Sequence, residues 1–367
     1  MNGGAAHLKS KMSTIKSDLP HSDPATAAEW IEFYYRQGWS DGLPLVPPTE
    51  DSVQATLAAG GLTGDEVLGT IDERNAIIPA EKVAINAVMA GCLPEYFPVV
   101  LAAVQGLCHP DFHYHNPATS TGGSGLALIV NGPIGPALGI NATNNAFGPG
   151  VRANATIGRA LRLVMMNVLN TRPGLLDRAT LGTPAKYTFC FAENEIDHPW
   201  VPLHVERGFR PEDSTVTLYA SNTLMGVYNQ LASAPEPLLR EFADAVCNLA
   251  TPNTYGFNET LVVLSGEHAE VLRRSGWSRR QVQEFIVQHA RRTVADFKRA
   301  ARLPGEIQPQ DETTWRYVMN RPEDLLIVCA GSQGGSWSAC LPGWGNKWTR
   351  SITVPISIGV LHDQKSL

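Results

Sequence analysis

The stretch LALIVNGP, residues 126–133, reads as a strand with no polar face that runs straight into a turn. A strand with one face in water would alternate in polarity. Five consecutive apolar residues mean that both faces are covered. The same theme recurs at 187–192, 215–219, 260–264, 325–329 and 352–356, each run closing in small or polar residues and often leading into a helix. Helical spacing of apolar residues marks 152–170 (Ile157, Leu161, Val164, Val168), 235–249 (Leu238, Phe242, Val246) and 278–292, where Ser278 is a natural N-cap. Upstream, the pattern predicts helices from about Pro24 to before Gly38, over 79–91 and over 94–107. The expected fold class is α/β, with mixed, largely parallel sheets covered by helices in two βα-rich halves. The polar stretch 212–214 is the expected boundary. It gives domains of 25–212 and 213–367 after a disordered tail at 1–24.

Of the 367 residues, 43% are apolar, and only 17% are charged against about 25% in ordinary soluble proteins. A low charge density on a long chain fits extensive burial, in a large core or against a second copy, so a homo-oligomer is expected. The net charge of −6 lacks the basic surface that nucleic acid requires. The apolar stretches are too short, or too broken by Gly and Pro, to cross a bilayer. The N-terminal residues lack the apolar run of a signal peptide. Six widely spaced cysteines read as reduced thiols in a cytoplasmic protein.

Ligands of open α/β sheets sit beyond the carboxyl ends of strands, where loops converge. That rule picks five junctions. Asn131 opens a Gly- and Asn-rich loop through Asn141, Asn144 and Asn145 that enters a helix at Arg152 and Asn154. Backbone N–H groups there, with Arg152 and Arg159, suit an anionic group. Its spacing matches neither nucleotide-binding glycine pattern. Glu193 and Glu195 flank an amide directly after a strand, a placement suited to proton transfer or to holding a metal. His204 and Glu206 would share one face of an extended segment. His109, His113 and His115, in a loop beside Cys108, offer three imidazoles for a divalent metal. The loop carrying Ser332, Ser336 and Trp337 could close a pocket. His268, after Ser265-Gly266-Glu267, reads as a helix cap.

The segment 81–92 (EKVAINAVMAGC), the block 148–162 (GPGVRANATIGRALR), residues 186–207, and the Gly276-Trp277-Ser278 turn before a helix and a Gly/Ser loop resemble the UGSC-like (seleno)protein family, related by label to glycine/sarcosine/betaine reductase. The resemblance implies a selenocysteine or cysteine redox centre in a U/C-G-S-C pattern. Here the nearest segment is Ser336-Trp337-Ser338-Ala339-Cys340, with one thiol and no resolving cysteine close by, so no catalytic residue is carried over. The leading expectation is a lyase- or hydrolase-type enzyme acting on a C–N, C–O or C–S bond of a small polar or anionic metabolite. A thiol-dependent reductase using Cys340 or Cys108 and a non-catalytic subunit of a larger complex stand beside it.

Overall fold

The structure, a computed structural model, describes residues 27–256, 258–344 and 348–357. The tail expected at 1–24 lies outside them.

Twelve strands are described. β1 (Val67–Ile71) and β2 (Ala76–Pro79) form a ribbon, followed by β3 (Gly125–Asn131), β4 (Cys190–Ala192), β5 (Thr215–Ser221), β6 (Met225–Tyr228) and β7 (Thr260–Leu264). β8 (Arg291–Thr293) and β9 (Trp315–Tyr317) form a second ribbon, and β10 (Leu325–Cys329), β11 (Trp337–Pro342) and β12 (Ile352–Pro355) complete the set. The larger sheets are β12-β5-β3-β4 and β10-β7-β11-β6.

Alternation along each buried strand explains the architecture. Leu128 and Val130 of β3 point into a core with the helices Ala80–Ala90, Phe97–Cys108 and Arg152–Asn167, while Ala127 and Ile129 point the other way. There they meet Leu261 and Val263 of β7 and Leu326 and Val328 of β10. The opposite face of that second sheet, through Val262, Leu264, Ile327 and Cys340, packs on the helices Pro235–Val246 and Arg279–His289. The layers run helix, sheet, sheet, helix. Both faces of β3 are covered as its sequence requires, one by helices and one by the other sheet.

The α/β class with mixed sheets stands, with two differences of detail. In the two larger sheets only β3 with β4 and β7 with β10 run parallel, and the other four pairs are antiparallel. An apolar run reports burial on both faces but carries no information about direction. The stretch 212–214 also does not separate the sheets, because β5 pairs along its length with β3 and β12 returns to pair with β5. The chain changes sheet after Ser221 instead.

Local signals were accurate where caps exist. Ser278 caps its helix through a reciprocal bond with Gln281, and Gly91 ends the helix Ala80–Ala90 in the left-handed conformation. β11 is an interior strand where a loop was expected through Cys340, since its WSACLP sequence has neither an apolar run nor clean alternation.

Candidate functional site

Parallel pairing of β3 and β4 brings their carboxyl ends together, so Asn131 meets the Glu193-Asn194-Glu195 turn. The Asn131 amide nitrogen donates to both carboxylates, at 2.5 Å to Glu193 Oε2 and 3.0 Å to Glu195 Oε1. Gly132, held at φ +82 where a side chain would strike the Asp213 carbonyl, donates its N–H to Glu195 Oε1 at 2.7 Å. Leu203 N–H donates to Glu193 Oε2 at 2.9 Å, and His198 Nε2 lies 2.8 Å from Glu193 Oε1. The Trp200 N–H donates to His198 Nδ1 at 3.1 Å, and His198 Nε2 faces both Glu193 Oε1 and Arg279 Nη2, the latter at 3.3 Å. Burial by itself would raise the Glu193 pKa, but His198, Asn131 and the Leu203 N–H hold it below the usual value. Glu193 is thus an ionised anchor.

Glu195 is the accessible member, its side chain 29% exposed. Its Oε1 lies 3.9 Å from Nδ1 of His204, a fully buried imidazole whose two nitrogens have no hydrogen-bond partner among the described residues. Asn131 Oδ1 and Thr215 Oγ1 are likewise buried and unpartnered, and Asn131 and Thr215 are direct cross-strand neighbours. A buried polar group without a partner costs about 1–3 kcal/mol, so packing does not account for such a group of atoms.

His204 does not pair with Glu206. The segment Leu203–Glu206 is a short helix, where residues two apart diverge, and Glu206 pairs with Arg279 instead. Arg279 also donates to the Val201 carbonyl and packs over Trp200, fixing the loop that carries His198.

The Asn-rich loop meets both the end of β4, where the Ala192 N–H donates to the Asn141 carbonyl at 3.2 Å, and the Gly/Ser loop. Asn154 exchanges bonds with the Asn141 backbone, at 2.8 and 3.1 Å, and Gly331 N–H donates to the Ala142 carbonyl at 2.9 Å. A cavity of about 550 Å³ opens there between Phe147, Asn154, Phe189 and Leu224. It shares Phe147 and Leu224 with a second of about 290 Å³ that reaches Asn145, Gly331 and Trp337. Trp337, 63% exposed, stacks on Tyr228 at 4.3 Å. Asn145 Nδ2 donates to the Pro149 carbonyl, and the Asn144 carbonyl accepts from Asn141, so these amides brace the loop. Ser332 Oγ accepts from Gly334 N–H within the Gly/Ser loop, and Ser336 Oγ donates to Glu267, tying the loop to the start of the helix Gly266–Ser275.

Other expected residues fall outside both places. Arg152 Nε donates to the Gly91 carbonyl, and Arg159 binds Asp41 through two hydrogen bonds. Cys340 lies in the helix-side core, where burial pushes its thiol up to about 12, unsuited to nucleophilic work. His109 Nδ1 accepts from Asp111 N–H, and His113 and His115 sit on exposed backbone beside it. Among the described residues, no three His, Cys, Asp or Glu are grouped to hold a metal ion, so the expected histidine site is not formed. Two proline-bounded turns scatter these imidazoles.

Sequence reasoning missed His198, which follows Glu193 in the same loop, and Arg279, which opens the helix Arg279–His289; neither carries a spacing signal. It also misread His268, which is buried and bridges Ser338 Oγ (2.6 Å) and the Asn229 carbonyl (3.0 Å). Among the described residues no helix is long and apolar enough to cross a membrane. Comparison of the chain with protein-family models, with curated proteins and with solved structures finds no match in any of the three.

Proposed function

We propose that the chain is an enzyme performing acid/base chemistry of lyase or hydrolase type on a small polar metabolite bound beyond the carboxyl ends of β3 and β4. The observation that supports this is the pairing of Glu195 with His204. A partly exposed carboxylate, oriented by two N–H donors on one oxygen, faces a buried imidazole that has spent neither nitrogen on the fold. Glu195 is suited to take a proton from a bound group, and His204 to return one. Glu193, ionised and held by Asn131, the Leu203 N–H and His198, positions Asn131 and through it Glu195.

A cytoplasmic homo-oligomer and kinship with the UGSC-like family belong to the same proposal. The thiol chemistry that family implies has no support in this chain, since the thiol of Cys340 is buried in the core.

The test is consumption of metabolites from a defined mixture, followed by mass spectrometry, for the wild type and for Glu195→Gln and His204→Asn. A metabolite consumed by the wild type should turn over about 10²–10⁴-fold more slowly with either variant, at unchanged melting temperature. Undiminished turnover by folded Glu195→Gln protein would overturn the reading.

A further inference from the structure

The atoms left over at Glu195 have a common chemistry. Asn131 spends its amide nitrogen on the two carboxylates, so its free Oδ1 is an acceptor only. Glu195, when ionised, accepts only. Thr215 Oγ1 can accept as well. The charge balance points the same way. Glu193 and Glu195 are tied to one amide; of the nearby arginines, Arg279 lies against Glu193 and its partner His198 while pairing with Glu206, and Arg210 pairs with Asp213, so neither reaches Glu195. Among the described residues no Lys or Arg forms an ion pair with Glu195; its one partner is His204. Arg152, the residue expected to hold an anion, is bound at Gly91 instead.

A place rich in acceptors, negative, and lined by buried groups without partners is complementary to a cation with several N–H donors. Resting on the acid/base reading above, we infer that the group bound at Glu195 is a protonated primary amine, so the substrate class is a small ammonium-bearing metabolite rather than an anionic one. His204, nine-tenths buried and more, supplies the second and independent sign of a ligand beside the carboxylates. An imidazole that faces Glu195 across 3.9 Å with both nitrogens unbonded leaves a polar surface for a guest to complete. The ammonium would enter past Glu195, the exposed member of the set.

Binding is tested on the whole protein with methylammonium chloride, sodium acetate and tetramethylammonium chloride at matched ionic strength, by calorimetry and by ring-nitrogen NMR of the histidines. Methylammonium should bind saturably and shift one histidine, acetate should not bind, and tetramethylammonium, which has no N–H, should bind at least ten-fold more weakly. Glu195→Gln should weaken methylammonium at least ten-fold. The wild-type comparison stands by itself if that variant does not fold. Saturable acetate binding without methylammonium binding, or equal affinity for methylammonium and tetramethylammonium, would overturn the inference. So would an unchanged methylammonium affinity in folded Glu195→Gln protein. The two readings fail separately. A substrate that needs Glu195 but carries no amine removes this inference alone. Amine binding that depends on Glu195, with turnover indifferent to Glu195 and His204, removes the acid/base reading alone.

Discussion

Asp41 and Arg159 meet through two parallel hydrogen bonds, Nε to Oδ2 and Nη2 to Oδ1, each 2.8 Å long. The same guanidinium donates to the carbonyls of Leu43 and Pro44, so one side chain of the helix Arg152–Asn167 clamps the proline-rich loop after the first helix. A lysine reaches one point where the arginine fork reaches four. Arg159→Lys is expected to lower stability by about 1–3 kcal/mol in urea unfolding with an unchanged slope. An unmoved midpoint would show that the clamp contributes nothing.

Glu193 sets the acid limb of the stability curve. Its pKa is lowered in the fold, so it contributes stability above the ordinary carboxylate value near 4.5, and that contribution is lost as pH falls through the lower folded value. Glu193→Gln should cost about 2–4 kcal/mol at pH 7. The gap from the wild type should narrow steadily below pH 4.5. Parallel curves for the two proteins from pH 7 to pH 3 would contradict an ionised Glu193.

His268 acts in the same direction at higher pH. Burial, partly opposed by the Asn229 carbonyl and by Glu241 and Glu267, lowers its pKa below the ordinary 6.5. The unfolded chain therefore takes up this proton first, and stability is complete above pH 6.5 and declines as pH drops beneath it. Melting temperatures measured from pH 8 to pH 5 should fall less for His268→Gln than for the wild type. An equal decline would assign the effect to another group.

The six cysteines offer a direct test of the reductase alternative. Burial pushes Cys92 and Cys340 up to about 12 and Cys108 to about 11, and raises Cys190, Cys247 and Cys329 as well. Native protein at pH 8 should resist iodoacetamide for hours, while all six thiols react in denaturant. One thiol modified within minutes in the native state would reopen that chemistry.

What the sequence made legible was whatever depends on neighbours along the chain. Apolar runs located β3, β5, β7 and β10, and Ser278 and Gly91 marked helix ends, because burial and capping are local demands. Pairing direction was not legible, and neither was the replacement of a helical layer by a second sheet. Both are decided by which strands meet. The candidate site divides the same way. Asn131, Glu193, Glu195 and His204 were found as polar residues trailing buried strands or near them. Of their anchors, His198 follows in the same loop without a recognisable spacing, and Arg279 comes from the start of the helix Arg279–His289. Arg152 and Arg159 looked free for a ligand because the carbonyl and carboxylate that occupy them lie about 61 and 118 residues away.

The return of β12 to the first sheet has a consequence for how the protein is made. Every other strand of that sheet has been synthesised by Ser221, yet the edge of β5 stays uncovered until Ile352 emerges, about 130 residues later. At translation rates of about 5–20 residues per second, that exposes a row of unpaired backbone groups for roughly 7–26 s. Nascent chains that stall or are cleaved in this interval carry an open edge that other chains can join.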